Sequence, residues 1–258
     1  MTAVLGHFVE TAKKFVYGAQ GEPYRFAGQT LRFVPGTRPI RLKYAKSPNV
    51  VNRHDALSIL WMDQHLREGD TAIDVGACHG VYSLLMAAKC KAGGRVVAFE
   101  PDPYAREVLR RNIALNPQLA VPTVEDAACA ERQDTELFFV KRGNSRSCLV
   151  RASNDSGRIT VRLINLDAYI ADHRLTPRLI KIDAEGAEIR ILKGATRLLL
   201  SDAEILCELH PFAWKDFGNS FDELRTLLRH CNRKIRYLDQ GQESSREPTY
   251  GVAVLERA

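Results

Sequence analysis

Three runs of the chain place acids and glycines where apolar segments give way to turns, in a pattern suited to holding an adenosyl cofactor. The first is Asp74-Val75-Gly76-Ala77-Cys78-His79-Gly80. Gly76 permits a tight turn with backbone close to a ligand, and Gly80 lets the next helix start near the strand with its amide end offering donors. The glycine spacing is G-x-x-x-G, whereas a pyrophosphate-binding dehydrogenase turn wants G-x-G-x-x-G. With bulky Cys78 and His79 between its glycines, this turn suits an adenosyl cofactor that has no pyrophosphate. A carboxylate at Asp74 fits a cationic amino acid group, which S-adenosylmethionine carries and NAD lacks. Ala77, His79 and Tyr82 complete the set expected at this end of the pocket. The second run is Phe99-Glu100-Pro101-Asp102-Pro103, where Glu100, followed by Pro101, can accept both ribose hydroxyls from a strand tip. The third is Glu125-Asp126-Ala127-Ala128. Asp126 can accept from the adenine amino group while Ala127 leaves room for the ring; a register slip of one residue would hand the role to Glu125.

The reacting side is read from two further strand ends, Asp183-Ala184-Glu185-Gly186 and Glu208-Leu209-His210-Pro211. Neighbouring parallel strands would bring the candidate catalytic residues Asp183, Glu185 and His210 to one rim. His210 has the solution pKa suited to accepting a proton near neutrality, or else it only shapes the turn with Pro211. Asp183 either joins the chemistry or orients the cofactor amine, and Glu185 either joins it or caps the following helix. Acids beside a histidine raise a divalent-metal reading, but no DxD or HxH spacing supports one, so no metal is expected. Residues 141–162 carry Lys141, Arg142, Arg146, Arg151, Arg158 and Arg162 against Asp155 alone. That charge suits an acceptor bearing phosphate or carboxylate, or belongs to a solvated hairpin face.

These residues need a scaffold that aligns strand ends. Apolar spacing predicts helices over 3–17, 56–66, 80–91, 102–116, 187–200 and 221–230, with strands at 71–75, 95–99, 121–127, 179–183 and 204–209. Short runs at 24–26 and 31–34 suggest a hairpin, 35–52 a Pro- and Arg-rich loop, and 136–140 with 158–163 an inserted pair. Segments 235–238 and 251–255 could close the sheet as an antiparallel edge pair. The alternation predicts a doubly wound, mostly parallel seven-stranded Rossmann-like α/β sheet with an antiparallel edge strand and an N-terminal helix and hairpin extension. The expected division is 1–55 as a cap or substrate-side extension and 56–258 as the catalytic domain, with an inserted β-hairpin at about 135–163.

The runs DVGACHGVYSLL, VVAFEPDP, LIKIDAEGAEIRILKGA and ILCELHP together resemble the FkbM-type methyltransferases. The first two mark any enzyme of the class I fold, whereas the KIDAEGAE and ELHP pair is far more specific to this family. The resemblance runs from about residue 50 to about 212 and implies S-adenosyl-L-methionine as cofactor, with S-adenosyl-L-homocysteine as product. It also implies methylation, mainly at oxygen, of a small molecule or sugar, and a Ser-rich loop over the pocket, here containing Ser147. Where members often read VEG this chain has Ala184, whose side chain is expected to point into the sheet with little effect.

Composition narrows the alternatives. Of 258 residues 45% are hydrophobic, which excludes wholesale disorder. The net charge is +6, and residues 1–60 supply all of it, with nine Lys or Arg against three acids. The neutral remainder argues against a nucleic-acid-coating face, and strand four ends in IDAEG without the NPPY-like turn that receives a flipped base. A nucleic-acid methyltransferase and a non-catalytic cofactor-binding protein are the competing readings, and a nicotinamide oxidoreductase is disfavoured by the glycines. Six cysteines without a CxxC pair exclude a zinc ribbon and fit reduced thiols in a cytoplasmic protein. No apolar run reaches the ~18 residues of a membrane span. The expected partner is a small acceptor with acidic character, with a homodimer allowed.

Overall fold

The computed structural model describes residues 16–37, 45–46, 48–140, 157–239 and 248–258. A short turn at Gly18–Gln20 leads into a hairpin of β1 (Glu22–Phe26) and β2 (Gln29–Phe33). Then α1 (Val50–His65), β3 (Thr71–Val75), α2 (Val81–Cys90), β4 (Arg95–Phe99), α3 (Pro103–Ala114) and β5 (Thr123–Glu125) follow. Three strands interrupt the alternation: β6 (Ala127–Cys129), β7 (Asp134–Val140) and β8 (Gly157–Ile164). The chain continues through α4 (Leu166–Asp172), β9 (Pro177–Ile182), α5 (Glu188–Lys193), α6 (Thr196–Leu200) and β10 (Glu204–Leu209). It ends with α7 (Pro211–Trp214), α8 (Phe221–His230), β11 (Arg233–Tyr237) and β12 (Gly251–Arg257).

Seven strands form one sheet in the order β11-β12-β10-β9-β3-β4-β5. The pairings from β10 through β5 are parallel, whereas β12 runs antiparallel to both β10 and β11. The antiparallel strand thus lies one place inside the edge, with β11 outermost. Alternate residues feed two cores: Ile73, Val75, Val97 and Phe99 face one, Ala72 and Val96 the other. Both faces are covered, which is why β3 and β4 read as continuous apolar runs. Connectivity reverses between β3 and β9, so the crevice beyond their C-terminal ends is where such a sheet binds ligands.

The β1–β2 hairpin belongs to the second core, burying Phe26, Leu31 and Phe33. Two asparagines one turn apart staple it, Asn112 in α3 and Asn116 just past its end. Asn112 Oδ1 accepts from the Val34 amide at 2.7 Å, and Asn116 Oδ1 from the Arg32 amide at 2.8 Å. Asn116 Nδ2 returns a bond to the Arg32 carbonyl at 2.7 Å. The side-chain amides satisfy an edge that no third strand covers among the described residues.

Several elements depart from the sequence reading. Helix α1 begins at Val50 because Asn49 accepts from the Asn52 amide as its cap, so the expected division at 55/56 falls inside a helix. The strand expected over 121–127 stops at Glu125, and Ala127 starts the separate sheet β6-β8-β7. The helix expected over 187–200 is broken at Gly194-Ala195. A Cβ on Gly194 would lie 2.3 Å from the Ala130 carbonyl, so the chain approaches β6 too closely there for one straight helix. Helices α4 and α7 were not anticipated. The expected helix over 3–17, apart from its last two residues, and the basic segment 141–156 with Ser147 lie outside the described residues. Among the described residues, no helix is long and apolar enough to cross a membrane.

Candidate active site

At the end of β3, Gly76 takes φ +78, and both it and Ala77 donate their amides to the Phe99 carbonyl at 3.0 Å. A Cβ on Gly76 would sit 1.8 Å from the Asp183 carbonyl oxygen, so only glycine lets the β3 and β9 turns touch. Gly80 also has positive φ, and a Cβ there would lie 2.0 Å from Leu109 Cδ1. Between them, Cys78 (φ +49) donates its amide to Glu100 Oε2 at 2.6 Å. Burial, aided by the charge of Glu100, pushes the Cys78 thiol up to about 12, so it is no nucleophile.

Glu100 is buried at the tip of β4, and its other oxygen accepts from the Asp102 amide at 2.7 Å. Burial pushes its carboxyl up to about 7 against the pull of these two amides. Each oxygen keeps a further lone pair, enough for two ribose hydroxyls. Asp74 is fully buried. Its Oδ2 accepts from the Ser83 hydroxyl at 2.6 Å, while Oδ1 has no hydrogen-bond partner among the described residues. Burial raises its pKa against the neighbouring Lys181. An orphaned carboxylate oxygen and a pair of half-satisfied ones fit a cationic, ribose-bearing cofactor.

Across the crevice, alternation along two adjacent strands builds a charged cluster. Lys181 is buried on β9 and donates from Nζ to Asp183 Oδ2 at 3.0 Å, just past the strand end. Its Nζ also lies 4.3 Å from the Tyr82 ring centroid, and the Tyr82 hydroxyl donates to Asp55 Oδ1 at 2.9 Å. Burial works against the Lys181 charge, but Asp183, Asp74 and Glu208 together raise its pKa. Burial likewise opposes ionisation of Asp183, and Lys181 and His210 outweigh it, so its pKa is lowered. On β10, burial and the charge of Asp183 push Glu208 up to about 8, and its Oε1 accepts from the Tyr250 hydroxyl at 2.6 Å.

His210 is 3% exposed, and its Nδ1 lies 2.9 Å from Glu188 Oε1. A carboxylate only accepts, so Nδ1 carries the hydrogen. Glu188 is fully buried and saturated, accepting also from the Gly186 amide at 2.8 Å and from Trp214 Nε1 at 2.7 Å. Nε2 of His210 faces Glu185 Oε2 and Glu208 Oε1, each 3.9 Å away. Burial alone would lower the His210 pKa, but the Glu188 bond and the charges of Glu188, Asp183 and Glu185 hold it up to about 9. The expectation of an imidazole poised near neutrality is therefore corrected, because the surrounding acids favour its charged form.

Asp183, Glu185 and His210 thus meet at one rim, with ligand atoms within 4.8 Å of one another. Glu185 sits at φ +49 in the turn before α5, whose N-cap residue Ala187 makes no side-chain cap. Glu188 instead takes the Gly186 amide. Ala184 is partly buried against the core. Pro101 and His79 are half-buried beside the Glu100 turn, with His79 6.4 Å from the Tyr104 ring. Asp126 has an exposed side chain bonded to Arg162 at 2.7 Å, which lowers its pKa. Ala127 is fully buried in the core, so it does not leave space at an open edge as expected. Lys181, Glu188, Glu208, Tyr250 and Asp55 were not among the expected site residues. Three of them stand inside the quoted KIDAEGAE and ELHP runs, at the period-two or one-turn spacing that puts them on the face of Asp183 and His210.

The model of the Methyltransferase FkbM domain matches residues 74–235. A ribosomal protein L11 methyltransferase of Anoxybacillus flavithermus is 29% identical over 98 residues, which are 38% of this chain and 31% of that one. The chain therefore spans about a third of that relative. A solved FkbM methyltransferase from Methylobacillus flagellatus aligns with 79% of this chain and 52% of its own, at 17% identity and TM-score 0.47. An Aeropyrum pernix fibrillarin solved with S-adenosyl-L-methionine aligns with 93% and 84%, at 12% identity and TM-score 0.48.

Proposed function

The chain belongs to the FkbM family of S-adenosylmethionine-dependent methyltransferases, and we propose that it methylates a hydroxyl oxygen of a small molecule or sugar. The carrying observation is the juxtaposition of two unlike groups across the crevice between β3 and β9. On one side stand the cofactor-type acids Asp74 and Glu100; on the other stands the proton-handling rim of Asp183, Glu185 and His210. S-adenosylmethionine, when bound, supplies a methyl group on a sulfonium sulfur.

The chain's own residues have separate roles in this reading. Glu100 accepts from the ribose hydroxyls, Asp74 faces the cationic end, and the Gly76-Ala77 turn lets backbone approach. His79, Gly80, Tyr82 and Pro101 wall this side, and Asp126 takes the adenine amino group in place of Arg162. Asp183, fixed by Lys181, and Glu185 receive the acceptor hydroxyl and draw off its proton beside His210. Holding oxygen and methyl in line supplies much of the rate. The catalytic domain of this proposal begins with α1, which carries Asp55. The excess positive charge of 1–60 and the basic residues of 141–162 favour an acceptor carrying an acidic group.

Two experiments test the reading. S-adenosylhomocysteine should raise the melting temperature while NAD leaves it unchanged. Labelled cofactor incubated with cell extract should mark a small molecule whose methyl group is on oxygen. No shift with the adenosyl ligand, or label confined to RNA or protein, would overturn it.

A further inference from the structure

We propose that Asp183, Glu185 and His210 hold a divalent cation of the Mn2+ or Mg2+ kind at the acceptor rim. The inference rests on the O-methylation reading above and deepens it. Three donors from two adjacent strand ends converge, with their ligand atoms within 4.8 Å of one another. Ligands about 2.1–2.3 Å from one ion stand about 3–4 Å apart, so small side-chain shifts complete a set. The second observation is His210 itself. It is 3% exposed, and its Nε2 has no hydrogen-bond partner among the described residues. Glu185 Oε2 and Glu208 Oε1, at 3.9 Å, are beyond hydrogen-bond reach of it.

The imidazole is also oriented as a ligand would be. Metal-bound histidines almost always donate their other ring N–H to a carboxylate or carbonyl, which fixes the tautomer. Glu188 does this at 2.9 Å and is itself locked by Gly186 and Trp214. Charge points the same way, since Asp183 and Glu185 bring two carboxylates together at the rim while Glu188 stands behind His210. Converging carboxylates are the donors a hard cation takes. Two carboxylates and one imidazole suit a hard to borderline ion rather than a thiophilic one. The sequence expectation of no metal rested on the lack of a DxD or HxH spacing. Donors contributed by two strands leave no such spacing.

Three protein ligands leave positions for water and for the acceptor oxygen. A cation there lowers the pKa of the acceptor hydroxyl. Its proton leaves to water by way of the Glu185 carboxylate oxygen not on the cation, an oxygen lone pair forms the O–C bond, and the S–C bonding pair stays on sulfur.

The test uses the full chain after chelator treatment, titrated with Mn2+ and followed by the loss of the free-ion EPR signal. One Mn2+ per chain should bind, and Glu185→Gln and His210→Asn should each weaken it at least tenfold. S-adenosylhomocysteine should still raise the melting temperature of both variants, which shows that they fold. Glu185 lies on a partly exposed turn, so its variant keeps the test sharp if His210→Asn does not fold. Absence of Mn2+ binding, or binding indifferent to Glu185→Gln, overturns the site. Methyl transfer to a hydroxyl that persists in EDTA overturns the site while sparing the O-methylation reading. Mn2+ binding that follows both variants, with methyl found only on nitrogen or carbon, spares the site and removes that reading.

Discussion

Glu100→Gln separates the two demands on this carboxylate, which in the proposed reading serves the ribose as an anion yet is buried as though it were neutral. Burial moves its pKa from 4.5 in an exposed chain to about 7. At about 1.4 kcal/mol per pKa unit, holding it ionised above neutrality costs about 3 kcal/mol. The folded pKa is the higher one, so this contribution to stability is fully present below pH 4.5 and is lost as pH rises through about 7. Glutamine does not titrate and removes that slope. It also offers one acceptor where Glu100 serves two amides, those of Cys78 and Asp102, so one amide loses its partner at about 1–3 kcal/mol. The variant should therefore be less stable than the parent at pH 5, and the gap should narrow by about 2–3 kcal/mol by pH 8. Urea unfolding of both proteins across that range measures the difference, in which other titrating groups cancel. The same variant should lose the melting-temperature rise with S-adenosylhomocysteine at every pH. Parallel stability curves would refute the burial argument, and an intact rise would remove Glu100 from the ribose site.

His210→Ala should keep the response to S-adenosylhomocysteine while methyl transfer falls by about a hundredfold or more; wild-type turnover would make His210 a purely structural partner of Glu188. Gly80→Ala should destabilise by several kcal/mol, since its Cβ meets Leu109 Cδ1 at 2.0 Å and φ is +77. Adding Leu109→Ala to that variant should recover the steric part but not the backbone strain, which thermal unfolding of the double-mutant cycle would resolve. Asn116→Ala should leave the Arg32 amide and carbonyl without their side-chain partner, losing about 1–3 kcal/mol. Hydrogen exchange at Arg32 should then quicken, and unchanged protection there would show that apolar burial alone seats the hairpin.

The order of elements was legible because the chain switches plainly between period-two and helical spacing, and each cofactor-type acid falls at a strand end. Long-range packing decided what was missed. Nothing local in Gly194-Ala195 shows that β6 will crowd the helix, and nothing in Asn112 and Asn116 distinguishes two helix-surface amides from two that complete a hairpin edge. Asp126 was read by its position after a strand, but Arg162, which holds it, comes from β8 across a chain excursion of more than thirty residues. Ala127 was assigned to open space because alanine is small; in the structure it is small because it is buried.

The acceptor rim shows the same limit more sharply. Asp183, Glu185 and His210 could be proposed as neighbours because parallel strand ends align. Whether His210 acts as base, ligand or turn former depends on Glu188, the first residue of α5, which the amphipathic pattern would send to solvent. Its burial is settled by three donors from other segments, the Gly186 amide, Trp214 Nε1 and His210 Nδ1. Once Glu188 is buried against His210 Nδ1, the imidazole is oriented and its Nε2 directed at Glu185 and Glu208. The turn at Glu185 and Gly186, both at positive φ, then brings the acid to the rim. The motif spelled KIDAEGAE is thus one device: its lysine and first acid pair at the end of β9, its glycine turns the chain, and its last acid aims the histidine.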